Sequence, residues 1–214
     1  MIILDFGSGE TSKNDIPYIK RMIDELKAVD TGKHRVVIKW QLFAPETLPE
    51  SVPAPLSLLA FDEAYKYARE VGYETTASVF DTWSLRKLLA YDVPFVKLAC
   101  RPWVYPLLGV PWIVNGGPAP RAVVSVEDGV TGAMLKKQWD VDVLCCVPNY
   151  PATYSEYEDF GYDSLMSGIS DHTEDWQLYR DYEPDIYECH YKLEDSTGPD
   201  AAYSRTPAML KEVL

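Results

Sequence analysis

The chain has no Cys-x-x-Cys pair, no internal repeat, no low-complexity tract and no second-domain boundary. No run approaches the roughly 18 apolar residues of a membrane span, and no membrane partner is expected. The N-terminus, Met1-Ile2-Ile3-Leu4-Asp5, lacks a basic n-region, and no signal peptide is expected. Four cysteines, Cys100, Cys145, Cys146 and Cys189, all sit in apolar strand-like runs. They are expected to be reduced, buried thiols of a cytoplasmic protein. Positive charge is scarce: 20 Lys and Arg stand against 33 Asp and Glu, a net charge of −13. Nucleic acid attracts clustered Lys and Arg, so it is excluded as a partner. An anionic substrate must be held here by local cations or a metal, against the field of the whole molecule. Gly7-Ser8-Gly9 lacks the third glycine and the downstream acid of a dinucleotide loop, and that reading is set aside. Histidine is rare, with only His34, His172 and His190.

What is present fits one domain over residues 1–214, 47% apolar and 25% charged, long enough for a sizeable core. Short apolar runs at 2–6, 35–43, 74–80, 93–99, 111–114 and 141–147 read as strands. Two more centre on Gly168-Ile169-Ser170-Asp171-His172-Thr173 and Tyr187-Glu188-Cys189-His190-Tyr191, while 121–126 offers an extra strand. Helical periodicity falls between them: after Asn14 or Asp15, over 61–71 ahead of Gly72, from Asp81-Thr82, over 131–139, over 174–182 and from Thr206-Pro207 to the end. Residues 152–167 are acidic and tyrosine-rich, with little periodicity. Eight alternating units predict parallel strands closing into a small (β/α)8 TIM barrel, whose site lies at the C-terminal strand ends. Asp5, Lys39, Gln41, Ser78, Lys97, Asn149, Tyr150, Ser170, His172, Glu188 and His190 fall near those ends.

The last third carries the strongest chemistry. Residues i and i+2 of a strand share a face, so Ser170 sits with His172 and Glu188 with His190. Two imidazoles beside a carboxylate and a hydroxyl suit a divalent cation and a small polar substrate; satisfied structural histidines are the other reading. Asp171 should face the opposite way, which argues against a Ser170-His172-Asp171 triad. Lys39 and Lys97 each interrupt an apolar run. A buried ammonium must meet a substrate anion or pair with Asp5 or Glu188.

In these motifs the sequence resembles the sialic acid synthase family, which includes N-acetylneuraminate synthase and its pseudaminic and legionaminic acid relatives. The resemblance runs in order along nearly the whole chain. It is carried by Cys146-Val147-Pro148-Asn149-Tyr150-Pro151, Gly168 to Thr173, Tyr187 to Tyr191 and Gly198-Pro199-Asp200, with weaker matches around Lys39, Ser78 and Lys97. It implies a metal-dependent condensation of phosphoenolpyruvate with an N-acetylated amino sugar, releasing phosphate. The cation would be Mn2+ or Mg2+, held by His172 and His190. Lys39, Ser78 and Lys97 would take the phosphoenolpyruvate carboxylate, and Ser170 its phosphate. Asp5, Gln41, Tyr150 and Asp200 would meet the sugar, and Asn149 would also bind substrate. Glu188 would act on water or the developing intermediate. The departures are Cys100 for a serine, Pro102 for an acid, Pro148 for a phosphate-contacting side chain and Arg101 for a glycine, which offers a different phosphate contact. The family's C-terminal antifreeze-like domain, which sets an arginine over the partner's sugar site in a homodimer, has no counterpart in these 214 residues. Two alternatives stand beside this: a catalytically degenerate barrel that binds a sugar or metal, and a metal-dependent hydrolase or aldolase using the same histidines and Glu188.

Overall fold

The computed structural model describes residues 1–47, 54–112, 118–161, 166–196 and 200–214. In chain order the elements are β1 (Ile2–Asp5), α1 (Gly9–Ser12), α2 (Ile16–Lys27), β2 (Val36–Leu42), α3 (Leu58–Glu70), β3 (Glu74–Val79), α4 (Thr82–Leu88) and β4 (Phe95–Leu98). After a 3-10 segment, Pro102–Gly109, come β5 (Arg121–Val126), α5 (Gly129–Gln138), β6 (Val141–Cys146), α6 (Tyr154–Phe160), β7 (Gly168–Asp171), α7 (Gln177–Tyr182), β8 (Ile186–His190) and α8 (Pro207–Leu210). The eight strands pair in parallel in sequence order, and β1 closes on β8. The chain is a (β/α)8 barrel, as the alternation predicts.

Local chemistry sets the helix starts. Asp81 accepts a hydrogen bond from Ser84 N at 2.7 Å and forms a capping box with Ser84 at the start of α4. Asp128 accepts from Thr131 N at 2.7 Å to cap α5. Gly72 adopts φ +99° after α3, a conformation that only glycine takes up freely.

The two faces of each strand have separate destinations. Outward residues such as Ile2, Leu4, Ile38 and Trp40 pack beneath the helices in the main core. Inward residues Ile3, Val37, Phe95, Val123, Leu144 and Ile186 form a second apolar cluster that fills the barrel's lower part. Two positions further along the same strands stand Asp5, Lys39, Lys97, Ser125, Cys146 and Glu188. The period of two that builds the plug therefore also raises a polar layer above it. On β7 the plug position is Gly168. A Cβ there would meet Ile186 O at 1.8 Å, so only glycine lets β7 lie this close to β8.

Two expectations need correction. The fifth strand is Arg121–Val126; residues 111–112 form no strand, and 113–117 lie outside the described residues. The patternless 152–167 segment contains α6. Tyr157 is buried, with Tyr154 and Phe160 packed partly beside it, a stripe of three aromatics over seven residues that is too short to stand out.

Candidate active site

Strand register brings the polar layer together. Asp5 stands opposite Lys39 on β2 and His190 on β8, Ser78 opposite Lys97, and Ser170 opposite Glu188. These side chains line one cavity of about 400 Å³ at the C-terminal end of the barrel, of a size that suits a small substrate. Gln41, Arg101, Tyr150, His172 and Asp200 also line it.

The floor is a chain of charges. Lys39 Nζ lies 2.6 Å from Asp5 Oδ2 and 2.5 Å from Glu188 Oε1, and donates to Ser78 Oγ at 3.2 Å. Lys97 Nζ lies 3.2 Å from Glu188 Oε2 and donates to Ser125 Oγ at 2.7 Å. Gln41 Nε2 donates to Asp5 Oδ2 at 2.9 Å. The sequence left the lysines a choice between a substrate anion and a carboxylate of the chain; here they meet the carboxylates. Burial alone would neutralise Glu188, but Lys39 and Lys97 outweigh it and hold the carboxyl well below the usual range. Burial likewise opposes charge on Lys39, yet Asp5 and Glu188 prevail and raise its pKa. Lys97 goes the other way: burial, offset only in part by Glu188, and its neighbour Lys39 lower it.

The two site histidines face each other with ring centroids 5.5 Å apart. Val147 O lies 2.8 Å from His172 Nδ1, which places the proton on that nitrogen and leaves Nε2 with its lone pair. Burial and the nearby His190 push the His172 pKa down to about 3, so its ring is neutral near pH 7. His190 Nδ1 sits 3.3 Å from Asp200 Oδ2 and 3.7 Å from Asp5 Oδ2, without hydrogen-bond alignment. Burial disfavours its charge, but Asp200 and Asp5 outweigh burial and raise its pKa.

Asn149 is the exception among the expected residues. Its side chain is exposed and donates to Glu156 at the start of α6, outside the cavity lining. Gly198 and Pro199 lie outside the described residues. Conversely, Ser125 and Tyr203 line the cavity without having stood out in the sequence. Ser125 follows Val123 by two on β5 and becomes legible once that strand is placed correctly. Tyr203 donates to Asp200 and packs on Tyr150 and His190, with centroids 5.4 and 5.0 Å apart; its aperiodic segment gave no signal.

Asp171 points outward, as the strand period requires. It is fully buried against Arg205, whose Nη2 donates to its Oδ2 at 2.8 Å, and it also accepts from Tyr187. Arg205 Nη1 donates to Thr173 O at 2.5 Å and Tyr203 O at 2.9 Å. It thus ties the segment after β7 to the one carrying Tyr203. Ser170, His172 and Asp171 therefore form no triad.

Comparison with known proteins rests on shape. No family model matches the sequence, and no curated protein sequence matches it significantly. Among solved structures, an N-acetylneuraminic acid (sialic acid) synthetase from Leptospira borgpetersenii serovar Hardjo-bovis superposes with a TM-score of 0.77 at 21% identity. That match covers 99% of this chain and 80% of the other. A spore coat polysaccharide biosynthesis protein from Bacillus subtilis gives 0.72 at 17% identity, covering 99% of this chain and 65% of that one. A phospho-2-dehydro-3-deoxyheptonate aldolase (DAHP synthase) from Thermotoga maritima gives 0.66 at 11%, covering 99% and 66%. In fold, the chain is a sialic-acid-synthase-like (β/α)8 barrel.

Proposed function

We propose that the chain is a metal-dependent synthase that condenses phosphoenolpyruvate with an N-acetylated amino sugar of the N-acetylmannosamine kind, yielding a nonulosonic acid and phosphate. The observation that carries this reading is the single cavity onto which Lys39, Lys97, Glu188, His172 and His190 all face. The likeness in fold to a sialic acid synthetase supports it.

The donor set fits a divalent cation, Mn2+ or Mg2+, in kind. His172 offers a neutral ring with Nδ1 engaged, and His190 has carboxylates beside its Nδ1. Among the described residues no group of three His, Cys, Asp or Glu is arranged as a ligand set, so water or substrate oxygens would complete the coordination. A cation bound there supplies Lewis-acid polarisation of an aldehyde oxygen.

The chain's own side chains do the rest. Lys39, Ser78 and Lys97 hold the carboxylate of phosphoenolpyruvate in a closed floor, where charge is weakly screened. Ser170 reaches the phosphate, and Asp5, Gln41, Tyr150 and Asp200 orient the sugar. The enol carbon adds to the aldehyde carbon, whose oxygen takes up a proton; water adds at the carbon bearing the phosphate ester and gives up a proton. The C–O bond to phosphate then breaks, leaving a ketone and free phosphate. The water's proton needs an acceptor, and Glu188, an ionised carboxylate on the cavity floor, takes it. Because Lys39 and Lys97 make it a weak base, their contacts must loosen as it does so. The test is phosphate release from phosphoenolpyruvate and N-acetylmannosamine with manganese. Release should require the acceptor and fall by about two orders of magnitude or more in His172→Ala. No acceptor-dependent release with any N-acetylated hexosamine defeats the reading.

One observation favours a second reading. Each floor lysine is already matched by a carboxylate of the chain, an arrangement that also suits a non-catalytic sugar-binding barrel. Calorimetry separates the two, because a binder takes up sugar without turnover.

A further inference from the structure

The cations of the cavity are not equivalent. Lys39 and Lys97 form its floor, 4% and 1% exposed, and both are engaged by carboxylates. Arg101, three residues past β4, lines the same cavity, but no carboxylate among the described residues lies within ion-pair distance of it. Its Nη1 donates to Cys100 O at 2.9 Å. Its guanidinium carbon stands 5.9 Å from the ring centroids of both Trp103 and Tyr150. Those rings are 66% and 42% exposed, which puts Arg101 at the mouth rather than the floor.

Charge bookkeeping shows what this position can do. The lining cations Lys39, Lys97 and Arg101 face the lining carboxylates Asp5, Glu188 and Asp200, inside a chain of net charge −13. An entering anion reaches the lysines only by loosening their carboxylate contacts, whereas at Arg101 no carboxylate of the described residues has to be displaced. A guanidinium presents a planar fork that matches two phosphate oxygens, and flanking aromatic faces hold that plane in place.

We propose that Arg101, backed by Tyr150 and Trp103, forms an oxyanion subsite at the cavity mouth that takes the phosphate group of a substrate. The subsite stands on its own geometry; only the choice of phosphoenolpyruvate as a probe rests on the synthase reading.

The test is calorimetric titration of inorganic phosphate at low salt into wild type, Arg101→Gln and Arg101→Lys. Arg101→Gln should weaken binding by about tenfold or more, with Arg101→Lys in between because it keeps the charge and loses the fork. Two further arms locate the phosphate. If Arg101→Gln weakens phosphoenolpyruvate but not pyruvate, the group belongs to phosphoenolpyruvate. If it weakens N-acetylmannosamine 6-phosphate but not N-acetylmannosamine, the group belongs to the sugar. Wild type that binds no phosphate, or Arg101→Gln that binds it as tightly as wild type, overturns the proposal. Because these are binding measurements, an absent synthase activity would leave a positive result standing, and the converse also holds.

Discussion

At the residue scale, the site turns on Glu188. It is 3% exposed and bridges two ammonium groups whose other contacts include Asp5, hydroxyls and a backbone carbonyl. Removing one member of a buried ionic cluster leaves uncompensated charge, a cost of about 3–5 kcal/mol. Glu188→Ala should therefore lose stability of that order in urea unfolding; a loss near zero would mean that water or rearrangement satisfies the lysines. Asn149 gives the opposite expectation. Its side chain serves Glu156 rather than the cavity, so Asn149→Ala should shift KM for either substrate by less than about twofold, within the usual range of surface changes. A larger shift in steady-state kinetics would restore it to the site.

At the scale of elements, the helices hold the strand ends in place. Tyr157 of α6 donates through its hydroxyl to Ser170 O at 2.6 Å and accepts from His172 N at 3.2 Å. Both partners are buried, and each lost bond costs about 1–3 kcal/mol. Tyr157→Phe should lower the unfolding free energy accordingly and weaken manganese binding at His172; unchanged values of both would detach α6 from the site. Asp81 ties α4 to the segment after β2, accepting from Ser84 N, from Ala44 N at 2.9 Å and from Thr47 Oγ1 at 2.7 Å. Burial raises its pKa, but these hydrogen bonds outweigh burial and lower it below 3.8. Its stabilisation is thus complete above pH 3.8 and is lost as pH falls through the lower folded value. Asp81→Ala should cost about 1–2 kcal/mol at neutral pH. That gap should close only below about pH 3.8 in pH-dependent unfolding.

At the scale of the molecule, one buried pair that the strand period throws outward, Asp171 with Arg205, ties together segments around the site. Asp171 and Arg205 are both 0% exposed, and Arg205 joins segments on either side of β8. Arg205→Ala should cost about 3–5 kcal/mol in urea unfolding, while an apolar pair, Asp171→Leu with Arg205→Met, should recover most of it. A double variant no better than the single one would point to the carbonyl contacts of Arg205 instead.

The sequence disclosed most of this where a period of two ends in a polar residue. Lys39, Lys97, Ser170, His172, Glu188 and His190 were legible because inward positions of short strands must carry either the plug or the site. Other parts were hidden for physical reasons. Pro111-Trp112-Ile113-Val114 mimics a strand by composition, so β5 and its Ser125 were misplaced. The helix α6 has only about two turns, and its stripe of Tyr154, Tyr157 and Phe160 is too short to stand out among acidic neighbours. Which way Asn149 turns depends on Glu156 seven residues later, a side-chain choice that strand register cannot reveal.

The most direct measurement is anomalous diffraction from crystals soaked with manganese and phosphoenolpyruvate. The account predicts one manganese peak bridging His172 and His190 above the lysine floor, with phosphoenolpyruvate density reaching Lys39 and Lys97. Manganese bound elsewhere, or through only one of these rings, contradicts it.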